Sequence, residues 1–178
     1  MHVSQITLEE MDHNFRKAQA TDLDRIMEII EGAKQQMLRE GKNQWDAAYP
    51  AREHIETDLQ EGNAYVMLTA GRVVAYGAVV FTGEPAYADI QGKWLTEQPY
   101  VVLHRLAVAQ EAKGQGLGLL FMQEVERLSL SARVYSFKVD TNHDNDRMLH
   151  LLDKLGFTFC GNIYYQQGYR MAYEKLLA

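Results

Sequence analysis

The chain has a single cysteine, Cys160, and only three prolines among its 178 residues. One thiol excludes an internal disulfide framework and a zinc site built from paired cysteines. Cys160 falls in the apolar run FTFCGNIYY and reads as a small buried residue with no required chemistry. No stretch of about eighteen apolar residues occurs, which excludes a membrane-spanning helix. The opening MHVSQITLEEMDHN is polar and acidic, without the basic start and apolar centre of a secretory leader. Basic side chains are outnumbered, 18 against 24 acidic ones, for a net charge of -6. A general nucleic-acid binder needs a basic face and does not fit that balance. These absences set the expectation of a cytoplasmic protein with no nucleic-acid partner and no membrane partner.

What is present is ordinary for a globular chain: 47% hydrophobic and 24% charged residues. The length suits one domain, expected over residues 15–178. Residues 1–14 are expected to form an N-terminal extension whose order the sequence does not fix. Residues 15–19 read as a short strand. TDLDRIMEII begins with Thr21 as an N-cap and acidic residues in the first turn. Ile26, Ile29, Ile30, Ala33 and Met37 then recur at helical spacing to about residue 40. A second helix is expected over 51–61, stopped by Gly62. NAYVMLTA and RVVAYGAVVFT read as a hairpin around Gly71, and a long connection over 83–98 leads to the strand YVVLHRLAVA. A helix follows with Leu117, Leu120, Phe121, Val125 and Leu128 on one face, then the strand RVYSFKVD. NDRMLHLLDKLG is a helix closed by Gly156, and two strands turning near Gly168 complete a mixed α/β domain.

Between the strand LHRLAVA and its helix lies KGQGLG, with glycines at 114, 116 and 118. Glycines there suit a tight turn. A strand-to-helix loop also exposes the unpaired N–H groups of the first helical turn, where a phosphate is favoured, and Lys113 adds a cation. The loop therefore suits either a plain tight turn or a pyrophosphate-bearing ligand. The Walker loop requires Gly-Lys-Ser/Thr, and the dinucleotide loop requires a third glycine where this chain has leucine. Neither nucleotide pattern fits.

LHRLAVAQEAKGQGLGLLFMQEVE resembles motif A of the GNAT superfamily of acyl-CoA-dependent N-acyltransferases. DTNHDNDRMLHLLDKLGF resembles that superfamily's second region, an asparagine and a helix ending in Leu-Gly-Phe. The order of elements agrees over nearly the whole chain. The resemblance implies a GNAT fold: a mixed, largely antiparallel sheet flanked by about four helices. It implies acetyl-CoA as acyl donor, with no metal. It implies that Leu106, Ala107 and Val108 offer backbone groups to the pantetheine arm, as one strand does to another. Lys113, Gly114, Gln115, Gly116, Leu117, Gly118 and Leu119 would wrap the pyrophosphate, Lys113 standing where the pattern has Gln or Arg. Asn145 holds the asparagine position and would hydrogen-bond the donor; a helix cap is the other reading of that residue.

The reaction implied is direct acetyl transfer to a primary amine, which needs a base for the ammonium proton and an acid for the departing thiolate. His104 is the candidate base, since imidazole titrates near neutral pH; a hydrogen-bonded core histidine is the alternative. The tyrosine that often serves as acid in the superfamily is Leu152 here. Tyr164 and Tyr165 on the following strand are the remaining candidates, with packing as their other role. His143 and His150 suit capping or surface positions. Trp45, Tyr49, Tyr87 and Trp94, on the two long connections, are expected to wall the acceptor pocket or to cover core. The acceptor expected is a small-molecule amine. A protein N-terminus or lysine is a rival, as is a silent acyl-CoA-binding domain. A homodimer stays open.

Overall fold

The computed structural model describes residues 12–178. The expected extension over 1–14 lies, for residues 1–11, outside the described residues. His13 and Asn14 belong to the first strand. The described residues form eight strands and four α-helices, in chain order β1 His13–Lys17, α1 Leu23–Arg39, α2 Arg52–Gln60, β2 Ala64–Thr69, β3 Arg72–Val80, β4 Gln91–Gly92, β5 Val101–Val108, α3 Leu117–Ser131, β6 Ser136–Thr141, α4 Asp146–Leu155, β7 Thr158–Tyr165 and β8 Gly168–Leu176. The strands hydrogen-bond in the order β1-β2-β3-β5-β6-β8-β7-β4. The ladders β1–β2, β4–β7, β6–β8 and β7–β8 are antiparallel, and β5–β6 is parallel. The expected class is therefore observed. By contacts the described residues form two compact units, 12–77 with Arg105–Phe121, and Ala78–His104 with Met122–Ala178.

In the first unit α1 buries Ile26, Ile29, Ile30 and Ala33, the stripe read from the sequence. Its start differs from the expectation. Thr21 sits inside a 3-10 turn, Ala20–Asp22, and Asp22 is the residue that organises the entry. Its carboxylate accepts Gln19 N–H at 2.7 Å and the Arg16 guanidinium at 2.7 and 3.1 Å. A charged acceptor with an arginine partner outcompetes a threonine hydroxyl for that role. The Arg16 bonds in turn hold the Asp22 carboxyl below the usual carboxylate range. Ala70 and Gly71, at φ 50 and 80, make the two-residue turn between β2 and β3. Phe15 of β1 stacks on Tyr65 and meets Phe121 edge-on, with centroids 5.3 and 5.2 Å away.

The second unit holds an element the sequence did not reveal. Gln91 and Gly92 pair with Asn162 and Gly161 of β7. The two backbones touch so closely that a Cβ on Gly92 would stand 2.2 Å from Cys160 O, and one on Gly161 2.3 Å from Gln91 O. A two-residue strand made by close backbone approach leaves no alternating pattern to read. The β7–β8 ladder shifts register between Phe159 and Gly161, so Cys160 sits at a bulge. α4 ends as expected, with Gly156 left-handed at φ 83. A small core of Tyr87, Val102, Ile163 and Ala172 lies under Val80, Tyr100 and Tyr165.

Candidate active site

The glycine loop is shaped by its neighbours in the first unit. After β5, Ala109 N–H donates to Val74 O at 2.8 Å, and a 3-10 turn over Gln110–Ala112 follows. Gly32, in the middle of α1, lets Gln110 approach, since a Cβ there would lie 3.2 Å from Gln110 Cγ. Arg25 pairs with Glu111 and donates to Val73 O at 3.0 Å, tying α1 to the same turn. Gly114 and Gly116 then adopt φ 79 and 72, and α3 starts at Leu117, which is buried. Alternating left-handed residues before a helix start turn successive N–H groups towards one point, a concavity that holds anions. Leu120 N–H closes the first turn on Gly116 O at 3.1 Å, so the N–H groups that precede it have no partner within the helix. Open space surrounds Gly114, with no atom within 4 Å of an added Cβ. A loop of this geometry suits an anionic group.

β5 bends just before the expected donor strand. Arg105 has φ 58, left-handed backbone in a non-glycine residue. Its guanidinium meets Asp58 of α2 through Nε at 2.9 Å and Nη2 at 2.5 Å, and donates from Nη1 to Tyr49 Oη at 3.0 Å. Asp58 is buried and also accepts the hydroxyl proton of buried Tyr76. Burial would lower the Arg105 pKa, but the bonds to Asp58 and the phenol of Tyr49 outweigh it and raise it. Burial, then the Asp58 charge, push the Tyr76 phenol well above its ordinary range. Trp45 is 7% exposed and belongs to the core, and Tyr49 of the same loop bonds Arg105.

The remaining candidates lie in the second unit. His104 Nε2 stands 3.2 Å from Glu84 Oε2, both side chains partly exposed. Glu84 is itself fixed: Oε1 accepts Ala86 N–H at 3.2 Å, and its own N–H donates to Tyr100 Oη at 3.2 Å. Tyr87 and Tyr165 both donate to Asp140 Oδ2, at 2.6 and 3.2 Å. Burial, followed by the Asp140 charge, raises the pKa of both phenols. Tyr165 therefore has its proton committed to a carboxylate, and Tyr164 is 62% exposed. The cation over Trp94 is the chain's own Lys138, 4.3 Å from that ring and 4.0 Å from Tyr100. Leu152, in the usual tyrosine position, is fully buried. Asn145 caps α4, its Oδ1 accepting Met148 N–H at 3.3 Å. His143 stacks on Tyr169, with ring centroids 5.7 Å apart.

Sequence reasoning missed Glu84, Asp58, Arg105 and Asp140. The one available signal was charge within a largely apolar strand, Arg105 in β5.

Residues 24–157 match the family model described as Acetyltransferase (GNAT) family. The chain belongs to that family of acyltransferases, whose acyl donor is acetyl-CoA. It is 31% identical over 98 residues to a 5-NmdU N-acetyltransferase of Pseudomonas phage PaMx11, spanning 47% of this chain and 68% of that protein. A GNAT acetyltransferase of Streptococcus agalactiae is 34% identical, with a TM-score of 0.85 over 93% of this chain and 96% of that one. A second, from Listeria monocytogenes, is 22% identical over 97% of this chain and 99% of its own, with a TM-score of 0.77, and speaks to the fold alone.

Proposed function

We propose that the chain transfers an acetyl group from acetyl-CoA directly to the primary amine of a small molecule. The observation that supports this reading most is the Glu84–His104 pair at 3.2 Å. A carboxylate that accepts the Nε2 proton fixes the tautomer and leaves Nδ1 as the proton acceptor. His104 Nδ1 takes a proton from the acceptor ammonium, directly or through water. The freed amine attacks the thioester carbon, the C–S bond breaks, and the thiolate is protonated on leaving. With Leu152 in place of the usual tyrosine, the thiolate takes its proton from solvent or from the nitrogen of the tetrahedral adduct, which gives one up as it becomes an amide. Leu106–Val108 dock the pantetheine arm, and Lys113–Leu119 hold the pyrophosphate. Glu84 and Asp140, both partly exposed carboxylates, suit an acceptor that arrives as an ammonium.

Release of CoA thiol, followed with a panel of small primary amines, 5-NmdU and lysine-bearing peptides, tests the acceptor. Turnover is expected with small amines; higher kcat/KM on the peptides than on every small amine would reverse the reading. The loop has its own test. Gly116 sits at φ 72, where an L side chain costs about 1–2 kcal/mol. Gly116→Ala is expected to raise KM for acetyl-CoA about tenfold with kcat little changed.

A further inference from the structure

We propose that Asp58, acting through Arg105, is a positioning residue for the acyl donor: their ion pair fixes the bend that sets the course of Leu106–Val108. The inference rests on reading those three residues as the pantetheine-docking strand. A non-glycine residue at φ 58 inside a strand persists only where its surroundings over-determine it. Here they do. Three hydrogen bonds at 2.9, 2.5 and 3.0 Å hold the guanidinium. Asp58, 3% exposed, is shared with the hydroxyl of Tyr76, which is fully buried. α2, β3 and the loop of Tyr49 thus converge on one ion pair.

Beyond the bend, Ala109 N–H is tied to Val74 O at 2.8 Å. Leu106–Val108 are therefore held between a locked turn and a backbone tether. A strand edge that hydrogen-bonds an extended ligand gains affinity when its groups are already spaced for it. The glycine loop is built differently, from Gly114, Gly116 and the first turn of α3, and none of the Arg105 bonds reaches it. The two halves of the donor can be separated by experiment.

Calorimetric titration of CoA and of adenosine 3′-phosphate 5′-diphosphate, which is CoA without its pantetheine arm, makes that separation. Asp58→Asn is expected to weaken CoA about tenfold, the size of one or two lost hydrogen bonds, and to bind the truncated nucleotide as the parent does. The double variant Asp58→Asn/Arg105→Gly keeps the bend with a residue that adopts positive φ freely, and should regain most of the CoA affinity. Tyr49→Phe removes one hydroxyl and leaves the Asp58–Arg105 ion pair in place, and should show the same selective loss at about threefold. Equal losses for both ligands, or unchanged CoA affinity in Asp58→Asn and Tyr49→Phe, would overturn the proposal. A parent protein that binds both ligands equally would instead remove the docking-strand reading beneath it.

Discussion

His104→Ala is expected to lower kcat about 100-fold or more while acetyl-CoA affinity stays within about twofold of the parent. The expectation follows from where the imidazole stands. His104 is in β5 with its Nε2 3.2 Å from Glu84, and Glu84 is fixed by Ala86 and Tyr100. A histidine serving only as packing needs no carboxylate held in place for it. The donor-binding candidates, the backbone of Leu106–Val108 and of the glycine loop with the Lys113 cation, make no use of the imidazole and would not sense its loss. Single-turnover thiol release and acetyl-CoA titration check both halves. Turnover in His104→Ala within about threefold of the parent across the pH range would remove the histidine from the mechanism. Glu84→Gln is the companion variant: a neutral amide still accepts the Nε2 proton through its oxygen. It should therefore retain more activity than Glu84→Ala, which leaves the tautomer unfixed. Equal activities in the two would argue that Glu84 has no orienting role.

The sequence was most legible where backbone conformation is bound to residue type. Gly114, Gly116, Gly156 and Gly71 are left-handed in the structure, and each was read as punctuation because glycine adopts positive φ at least cost. Helical spacing exposed the face of α1 for a similar reason, since burial repeats with the helix turn. Arg105 shows the limit. It too is left-handed, yet an arginine gives no local sign of it, and what holds it there, Asp58, lies 47 residues earlier. Asp140 and Tyr87 are 53 residues apart, so their contact left no spacing to detect. The aromatics of the long connections were visible as a group, but their roles were not. Trp45 is core, Tyr49 binds Arg105, and Trp94 faces Lys138. The resemblance in motif A supplied the donor chemistry that no periodicity contains.

Glu174→Gln should cost about 3–5 kcal/mol of stability, a fall in Tm on the order of 10 °C for a chain of this size. Glu174 is fully buried on β8, where three donors converge on its carboxylate: Leu95 N–H at 3.0 Å, Thr96 Oγ1 at 2.8 Å and Ser136 Oγ at 3.0 Å. An amide offers one acceptor oxygen and turns the other position into a donor facing donors, so at least one buried group loses its partner. The charge matters as well. Lys138 is 3% exposed, and burial lowers its pKa while the charge of Glu174 opposes that shift. Removing the carboxylate takes from that ammonium the charge that supports it most, beside the faces of Trp94 and Tyr100. Lys138→Met alone should therefore be far milder than Glu174→Gln, because it removes a desolvated charge and fills the same space. The double variant should recover part of the loss, and thermal denaturation of the four proteins measures the coupling. Additive effects would show that Lys138 and Glu174 act independently, and the Glu174 contribution would then be hydrogen bonding alone.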